Sequence, residues 1–412
     1  MRLKRRHFLA ATGVLAVQVL ITACGGEATA TPAASTAPTT AAPSTAASAA
    51  PSTVASATTG AAAAPTAVAS ATRATGFTPV ATTTRAAASP SAAAVAAPRL
   101  NTSAKLTLYN AQHENLIKGI VEGFTKETGV QVEVRSGKDF DLANQIVQEG
   151  ARSPADAFIT ENSPAMQVVA AKGLFAPIDK AILAQVPARF SPTTGDWMGV
   201  AGRSTVFVYN PQLLATSALP QSIMDLSGSA WKDTFGIAAS GADFQAVVSA
   251  VVALKGNDAG LAWLKGLKAN AKIYTGNGAI LRAVNAGEIP GGISYHYYWY
   301  QDRVDSGANS KNTELHFFQN KDAGGFFSIS GLGALKSSKN PNEAQALLRY
   351  MTGKAGQQVL ANGTFSLEYT LNPEVTNNSR LKPFSELSIP EVDIARLNGA
   401  QVIDLMQQAG LL

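Results

Sequence analysis

The chain has 412 residues, which is enough for two or three domains, and it carries a formal net charge of +5. Residues 1–100 hold seven of the 33 Lys and Arg residues and one of the 28 acidic residues, so residues 101–412 have a net charge of −1. This near-neutral main part gives no support to nucleic-acid binding. The only cysteine is Cys24, which excludes an intramolecular disulfide and a thiolate metal site.

Residues 1–23 are predicted to be a signal peptide. Basic residues between positions 2 and 6 precede an apolar stretch from Ala10 to Thr22, which is shorter than the about 20 residues needed to cross a bilayer. Residues 20–24, LITAC, resemble the lipobox of bacterial lipoproteins, which implies cleavage before Cys24 and lipidation of its thiol. Residues 4–10, KRRHFLA, resemble a twin-arginine export motif, with the general secretory route as the alternative.

Residues 24–100 are predicted to form a lipid-anchored, disordered linker. They are almost wholly Ala, Ser, Thr and Pro, and they lack the large apolar side chains whose burial offsets the entropy lost on folding. A flexible coil of this kind, about 75 residues long, has a mean reach of roughly 50 Å, which suits a tether between a membrane and a folded domain.

Predicted strands and helices then alternate along the chain. Strands are predicted over Lys105–Asn110, Val130–Val134 and Ala155–Thr160, with helical patterns between them, which indicates a parallel sheet and an α/β class. Ligands of such sheets bind outside the carboxyl ends of the strands. His113 follows the first strand and Glu161 the third, so both are candidate binding residues. A loop histidine and an acid near a helix start are the structural alternatives.

A second run of elements repeats this pattern. Its predicted strands are Phe235–Ser240, Lys272–Thr275 and Gly291–His296, and strands over Gly202–Asn210 and residues 324–335 are predicted to cross between two lobes. The residues after 335 are predicted to be mostly helical.

Residues 240–242, SGA, lie at a predicted helix start, where free backbone amides can hold an anion. An ordinary Ser N-cap is the alternative. Asn277 follows the next predicted strand and offers a side-chain donor at the same edge of the sheet. None of the sequence patterns GxSxG, HExxH and Walker A occurs in the chain, so the common hydrolase and NTPase signatures are missing.

Residues 295–300, YHYYWY, contain four of the nine tyrosines. A phenol has a pKa of about 10 and ionises near neutrality only beside a strong positive charge. Hard, highly charged cations favour such oxygen ligands, so paired tyrosines at a strand end suggest a ferric site. An aromatic core strand is the alternative. Tyr297 and Tyr298 would point to opposite faces of a strand, so they can share a ligand only if the strand ends there.

Together these residues resemble the ferric-ion-binding proteins of bacterial ABC importers. The resemblance rests on YNAQH (109–113), SGK (136–138), PADAFITE (154–161), GRSTVFVYN (202–210), ASGA (239–242) and YYWY (297–300), and it covers about residues 104–412. It implies the type II periplasmic-binding fold, with two α/β lobes joined by two crossover strands. The expected lobes are residues 101–203 with about 328–380, and residues 204–327 with about 381–412.

The resemblance also implies a site. The expected ferric ligands are His113, Glu161, Tyr297 and Tyr298, and the expected residues for a synergistic anion, phosphate or carbonate, are Ser240, Gly241, Ala242 and Asn277. The chain departs from the family at Tyr295 and His296, where relatives often carry amides, and at Asn162, where they often carry glutamine. Asp243 lies in the first turn of the predicted helix, where its charge would weaken an anion.

The function that the resemblance implies is capture of ferric iron outside the cytoplasm by a lipid-anchored, monomeric receptor. The receptor would deliver iron to an ABC permease and its ATPase and would not be an enzyme. A receptor of the same fold for a phosphorylated sugar or a phosphonate is one alternative. An iron-dependent enzyme is another, although no obvious general base accompanies the expected ligands.

Overall fold

The computed structural model describes residues 99–364 and 367–412. Ten strands in this part of the chain form one mixed sheet. They are β1 (Lys105–Asn110), β2 (Gln131–Ser136), β3 (Ala157–Ile159), β4 (Met198–Tyr209), β5 (Phe235–Ile237), β6 (Ala271–Ile273), β7 (Gly291–Tyr295), β8 (Glu314–His316), β9 (Phe327–Ala334) and β10 (Tyr369–Thr370). The predicted signal peptide, Cys24 and all but the last two residues of the predicted linker lie outside the described residues.

The sheet contains two groups of parallel strands. Its order is β2-β1-β3-β9-β4-β7-β5-β6, and β8 and β10 also pair with β4. β1 runs parallel to β2 and β3, and β5 runs parallel to β6 and β7. We call β2, β1 and β3 the first half-sheet, and β7, β5 and β6 the second half-sheet. The antiparallel strands β9 and β4 lie between them.

The strand β4 changes partner along its length. Residues Met198 to Ser204 pair with β9, and residues Thr205 to Tyr209 pair with β7. All twelve residues of β4 are buried, as expected for a strand with neighbours on both edges and covered faces. The prediction of crossing strands near Gly202–Asn210 and residues 324–335 is therefore confirmed, with β4 beginning four residues earlier than predicted.

Eleven α-helices occur in the described part of the chain. They are α1 (Glu114–Thr128), α2 (Asp139–Glu149), α3 (Pro164–Ala170), α4 (Lys180–Leu183), α5 (Ala242–Lys255), α6 (Asn257–Asn270), α7 (Asn277–Ala286), α8 (His296–Asp305), α9 (Pro341–Thr352), α10 (Lys354–Asn362) and α11 (Gly399–Gln408). α5 and α7 pack on β7, α9 packs on β9, and α11 packs on α5 and α6. No helix in this part of the chain is long and apolar enough to cross a bilayer.

The buried face and the C-terminal end of helix α1 follow from its sequence. Leu116, Ile117, Ile120 and Phe124 recur at helical spacing, and all four are buried. The helix ends at Gly129, whose φ of 77° is in the left-handed region that glycine adopts without steric cost, and whose N–H donates to the carbonyl of Thr125. The end of this helix therefore fixes the direction in which the chain enters β2.

The prediction that residues after 335 are mostly helical is wrong for residues 367–398. This segment contains β10 and two short 3-10 helices but no α-helix. It carries Pro373, Pro383 and Pro390, and each proline lacks the N–H that a continuing helix needs. The segment instead brings Glu368 beside β4, where Tyr369 pairs with Gly202.

Candidate metal centre

The four expected metal ligands lie at the carboxyl ends of three strands. His113 is the N-cap of α1 and follows β1, and Glu161 follows β3 by two residues. Tyr297 and Tyr298 lie in the first turn of α8, directly after β7. His113 and Glu161 therefore extend from the first half-sheet, and the tyrosines from the second. In both half-sheets the ligands therefore lie where the general rule for parallel strands places ligand sites, outside the carboxyl ends of the strands.

Contacts join these side chains into one cluster. The Oη atom of Tyr297 donates a hydrogen bond to Oε1 of Glu161 at 2.9 Å, and Nε2 of His113 lies 3.9 Å from the same oxygen. The His113 and Tyr297 rings have centroids 5.2 Å apart, and the Tyr297 and Tyr298 rings have centroids 4.2 Å apart. The structure thus brings together all four residues, which are separated by up to 185 positions in the sequence.

The neighbouring tyrosines reach one point because the backbone changes conformation at the required place. β7 ends at Tyr295, and α8 begins at His296. Successive residues of a helix diverge by about 100° instead of the 180° of a strand, so adjacent phenols can converge. The Oη atom of Tyr298 donates to Oδ2 of Asp243 at 3.3 Å, and the Oη atom of Tyr297, whose single proton is shared between Glu161 and Asp243, lies 3.2 Å from the same oxygen. The strand thus ends before Tyr297 and Tyr298, which is the condition under which the two phenols can share a ligand.

Asp243 lies at the centre of the cluster. It is the second residue of α5, where the helix dipole favours a negative charge. Besides the two phenols, its carboxylate accepts hydrogen bonds from Nδ2 of Asn277 at 2.8 Å and from Nδ2 of Asn162 at 3.1 Å. Four polar side chains, two of them expected metal ligands, therefore converge on one protein carboxylate.

The residues expected to bind an anion do not all contact this cluster. Asn277 belongs to the cluster, but its amide already donates to Asp243. The N–H of Gly241 donates to the carbonyl of Ala238 at 2.9 Å, and Ser240 is exposed in the turn that precedes α5. The amide of Gly241 is thus engaged within its own turn, and the helix start carries the charge of Asp243.

Tyr295 and His296 are core residues. The phenol of Tyr295 donates to the backbone oxygen of Asp243 at 3.4 Å. The Nδ1 atom of His296 accepts a hydrogen bond from the N–H of Ser204 at 3.1 Å, and burial lowers the pKa of His296 to about 3. His296 is therefore a neutral acceptor that fixes the start of α8 against β4.

Arg203 and Glu368 belong to the cluster but were not among the candidates chosen from the sequence. Arg203 is fully buried, and its Nη1 atom lies 2.9 Å from Oε1 of Glu161 and 4.0 Å from Oδ1 of Asp243. Glu368 is also fully buried, with Oε2 3.8 Å from Nε of Arg203 and Oε1 3.7 Å from Nε2 of His113. The one charged residue in the otherwise uncharged strand β4 was the available signal for Arg203. No sequence pattern marked Glu368.

Asp139 positions the segment that carries Glu161. Its Oδ1 atom accepts the N–H of Glu161 at 2.7 Å, and its Oδ2 atom accepts the N–H of Asn162 at 3.0 Å. Burial and the nearby charge of Glu161 raise the pKa of Asp139 to about 8, against the opposite effect of the two amide hydrogen bonds. The orientation of Glu161 thus depends on a buried side chain of α2.

The electrostatics of the cluster favour binding of a strongly charged cation. Burial, followed by the charges of Asp243 and Glu161, raises the pKa of both Tyr297 and Tyr298 well above the ordinary value. Burial and the charge of Glu161 raise the pKa of Asp243 to about 6. Within the described residues, no group of three or more His, Cys, Asp and Glu side chains is arranged as a metal site, so a metal here would need the phenols. Their protons leave only for a strong positive charge.

The cluster is open to solvent on one side. A cavity of about 470 Å³ is bordered by His113, Tyr297 and Tyr298, and by polar residues that include Arg282 and Gln301. The His113 side chain is 32% exposed and that of Glu161 is 21% exposed, whereas Arg203 and Glu368 are inaccessible. An ion can therefore reach the imidazole and the phenols from this cavity, with Arg203 on the buried side.

The role of Asp139 leads to a stability prediction. Asp139→Ala leaves the buried N–H groups of Glu161 and Asn162 without their acceptor, and we expect a loss of about 2 kcal/mol in the free energy of unfolding. Asp141→Ala, in the same turn of α2 but exposed, is the matched control and should change it by less than about 0.5 kcal/mol. Urea unfolding followed by circular dichroism measures both. Equal effects of the two substitutions would contradict this role.

Comparison with known proteins agrees with this geometry. A family model described as bacterial extracellular solute-binding protein matches residues 152–394. The chain is 49% identical over 319 residues to the Fe(3+)-binding periplasmic protein of Serratia marcescens, covering 77% of this chain and 94% of that protein. It is 35% identical over 323 residues to the major ferric iron-binding protein of Neisseria meningitidis, covering 78% and 96%. The structure of iron-bound HitA from Pseudomonas aeruginosa matches with a TM-score of 0.70 at 39% identity, covering 74% of this chain and 99% of that chain.

The expected type II periplasmic-binding fold is confirmed by these matches and by the two half-sheets joined through β4 and β9. The residues matched by the family model include Glu161, Arg203, Asp243 and both tyrosines. The chain therefore belongs to the bacterial extracellular solute-binding proteins, in the group that contains the periplasmic ferric-ion-binding proteins.

Proposed function

We propose that this protein captures ferric iron outside the cytoplasm and delivers it to an ABC permease that is driven by its ATPase. The observation that carries the proposal is the convergence of Tyr297, Tyr298, His113 and Glu161 at the carboxyl ends of strands from both half-sheets. The proposed ligands of the iron are these four residues. The names of the curated relatives, which are iron-binding proteins, support the same cargo.

The donor set favours ferric iron over softer or less charged ions. Two phenolates and the carboxylate of Glu161 supply three negative charges, and the imidazole of His113 adds a neutral nitrogen. Hard oxygen donors suit a small trivalent ion, whereas zinc and copper(I) favour nitrogen and sulfur. Because each phenol must lose a proton to bind, the affinity should fall as the pH falls.

We infer that bound iron bridges two lobes. The lobes proposed are residues 101–203 with about 328–380, and residues 204–327 with about 381–412. The packing of α11 on α5 and α6 supports the assignment of the last residues to the second lobe. Because His113 and Glu161 extend from the first half-sheet and the tyrosines from the second, an ion held by all four stabilises the arrangement in which the lobes are closed.

We further infer that Asp243 supplies the negative charge that an external anion was expected to provide. Its carboxylate already accepts a hydrogen bond from the amide of Asn277 and lies within hydrogen-bonding distance of both phenols. A phosphate or carbonate ion at the same point would meet a like charge in a buried setting, where repulsion is strong. An oxygen of Asp243 is placed to become a further iron ligand once the phenols have lost their protons.

The charge of the cluster also argues against the alternative cargo, a phosphorylated sugar or a phosphonate. Three carboxylates, those of Glu161, Asp243 and Glu368, face the buried guanidinium of Arg203. Such a net negative site repels a phosphate group. The relatives are named as binding proteins, and we infer binding rather than catalysis.

We also propose that lipidated Cys24 attaches the protein to the membrane. The proposal includes a disordered linker and a monomeric folded part. Its support is the sequence of residues 1–98, which lie outside the described structure. The lipobox resemblance and the low content of large apolar residues in the linker carry it. Export by the twin-arginine route rests on residues 4–10 alone.

The first test removes one phenol. Tyr298→Phe should abolish tight ferric binding and the visible phenolate-to-iron absorption, because one of the two anionic oxygens is lost while the ring is kept. Tyr350→Phe in α9, which packs on Phe124 away from the site, is the matched control. Ferric titration against a competing chelator, followed in the visible spectrum, measures both variants. Unchanged binding by Tyr298→Phe would remove that residue from the site.

The second test concerns the anion. Wild-type affinity should agree within roughly threefold in anion-free, phosphate and carbonate buffers, because Asp243 supplies the charge internally. Asp243→Ala should weaken binding by roughly tenfold or more and make the affinity depend on added carbonate, since the carboxylate is lost and space opens beside Asn277. Asp258→Ala, at the same second position of α6 and exposed, is the control. A strong anion requirement in the wild-type protein would contradict the role of Asp243.

The third test concerns the anchor. Cys24→Ser should prevent lipidation, so that the protein appears in the soluble extracytoplasmic fraction instead of the membrane fraction. Immunoblotting of fractions after a high-salt wash measures this. A substitution that leaves the thiol in place, Thr22→Ser, is the control. Retention of Cys24→Ser in the washed membranes would show that the lipobox interpretation is wrong.

A further inference from the structure

Arg203 lies at the point where the two half-sheets meet. β4 pairs with β9 up to Ser204 and with β7 from Thr205 onward, and Arg203 itself lies opposite Ser328 of β9. Its side chain is fully buried below the phenols, with the guanidinium carbon 5.8 Å from the centre of the Tyr297 ring. The only buried guanidinium among the described residues is thus on the strand that joins the half-sheets.

The acidic partners of Arg203 come from three separate parts of the chain. Glu161 follows β3, Glu368 precedes β10, and Asp243 lies in the first turn of α5. Burial by itself would lower the pKa of Arg203, but the charges of Glu368, Glu161 and Asp243 raise it well above the ordinary value. Arg203 therefore carries a permanent positive charge next to the proposed iron ligands.

One oxygen atom is shared between Arg203 and the proposed metal site. Oε1 of Glu161 lies 2.9 Å from Nη1 of Arg203, accepts the Tyr297 hydrogen bond at 2.9 Å and lies 3.9 Å from the His113 nitrogen. An iron ion bound to this oxygen would place its charge within about 4 to 5 Å of the guanidinium, given ordinary metal–oxygen distances of about 2 Å. Two positive charges at this separation repel strongly where no solvent screens them.

We propose that Arg203 is a positioning residue that competes with the ferric ion for the Glu161 carboxylate, and that it thereby limits the affinity and speeds the release of iron. This inference rests on the proposed function. A receptor must release its cargo to the permease, and a fixed positive charge beside a ligand oxygen lowers the affinity without removing any ligand. The same charge offsets part of the negative charge of the three nearby carboxylates.

A purely structural role of Arg203 predicts a different outcome. If the guanidinium only held Glu161 in place, its removal would loosen the ligand and weaken the binding of every metal to a similar extent. A competing charge acts in the opposite direction, because its removal ends the repulsion between the guanidinium and the ion. The effect should also be larger for a trivalent than for a divalent ion, since repulsion scales with ionic charge.

The experiment uses gallium(III), a redox-inert trivalent ion, with cobalt(II) as the divalent comparison. Arg203→Gln should bind gallium roughly tenfold or more tightly than wild type and release it correspondingly more slowly, with a smaller change for cobalt. Arg203→Lys retains a cation beside the three carboxylates and should stay closer to wild type than Arg203→Gln. Chelator competition gives the affinities, and stopped-flow transfer to excess chelator gives the release rates.

A second comparison protects the test against misfolding of Arg203→Gln, which leaves buried carboxylates without their counter-charge. Glu368→Gln removes one of those charges, and the double variant Arg203→Gln/Glu368→Gln restores the balance. The double variant should bind gallium roughly tenfold or more tightly than Glu368→Gln alone. Thermal unfolding and circular dichroism establish that each variant is folded.

The outcomes separate the inference from the function on which it rests. Weaker or unchanged gallium binding on removal of the guanidinium, in a wild-type protein that binds the ion, would overturn the role of Arg203 alone. Equal weakening for gallium and cobalt would show a structural role. Failure of the wild-type protein to bind either iron or gallium would remove the proposed function and this inference with it.

Discussion

A buried positive charge must be paired with negative charge, and this requirement organises the centre of the molecule. Arg203 is fully buried and lies within 2.9 to 4.0 Å of three carboxylates. A buried pair that loses one partner costs several kcal/mol, so the elements that carry Glu161, Asp243 and Glu368 are held around β4. The phenols and His113 are then fixed by their contacts with the same carboxylates.

The topology of the sheet places this cluster between two groups of strands. β7 runs opposite to β1 and β3, and it pairs with the second half of β4 whereas β9 pairs with the first, so that Tyr295 at the carboxyl end of β7 lies opposite Thr205 in the middle of β4. The carboxyl ends of β1 and β3 therefore meet that of β7 at one site. A ligand held from both sides couples its binding to the relative position of the half-sheets. The residues of β4 that lie at the change of partner are therefore linked to both the fold and the site.

The acidic character of the site depends in part on Asp243 at the start of α5. A helix start offers free amides to an anion, and the start of α5 does so in principle. Here the second residue of that helix is Asp243, and the amides of Asn277 and Asn162 donate to it. The chain thus provides its own carboxylate at a point where a helix start could hold an external anion. The sequence placed Asp243 in the first helical turn, but it gave no sign that both phenols would also reach this carboxylate.

Apart from the full set of four ligands, which the resemblance to ferric-ion-binding proteins implied, the sequence by itself determined the alternating strands and helices, the crossing strands and the positions of His113, Glu161 and Tyr297 at strand ends. These features depend on local periodicity and on the rule that ligands lie at carboxyl ends, both of which can be read along a short stretch. The tertiary structure alone decided which groups surround the site. It places Glu368 beside Arg203, lets Asp139 accept the N–H of Glu161, and buries His296 against Ser204. Glu368 and Arg203 are 165 positions apart in a chain whose intervening segments carry no shared pattern. Their pairing is a consequence of burying charge in a folded core, which is an energetic condition on the whole molecule and leaves no local mark in the sequence.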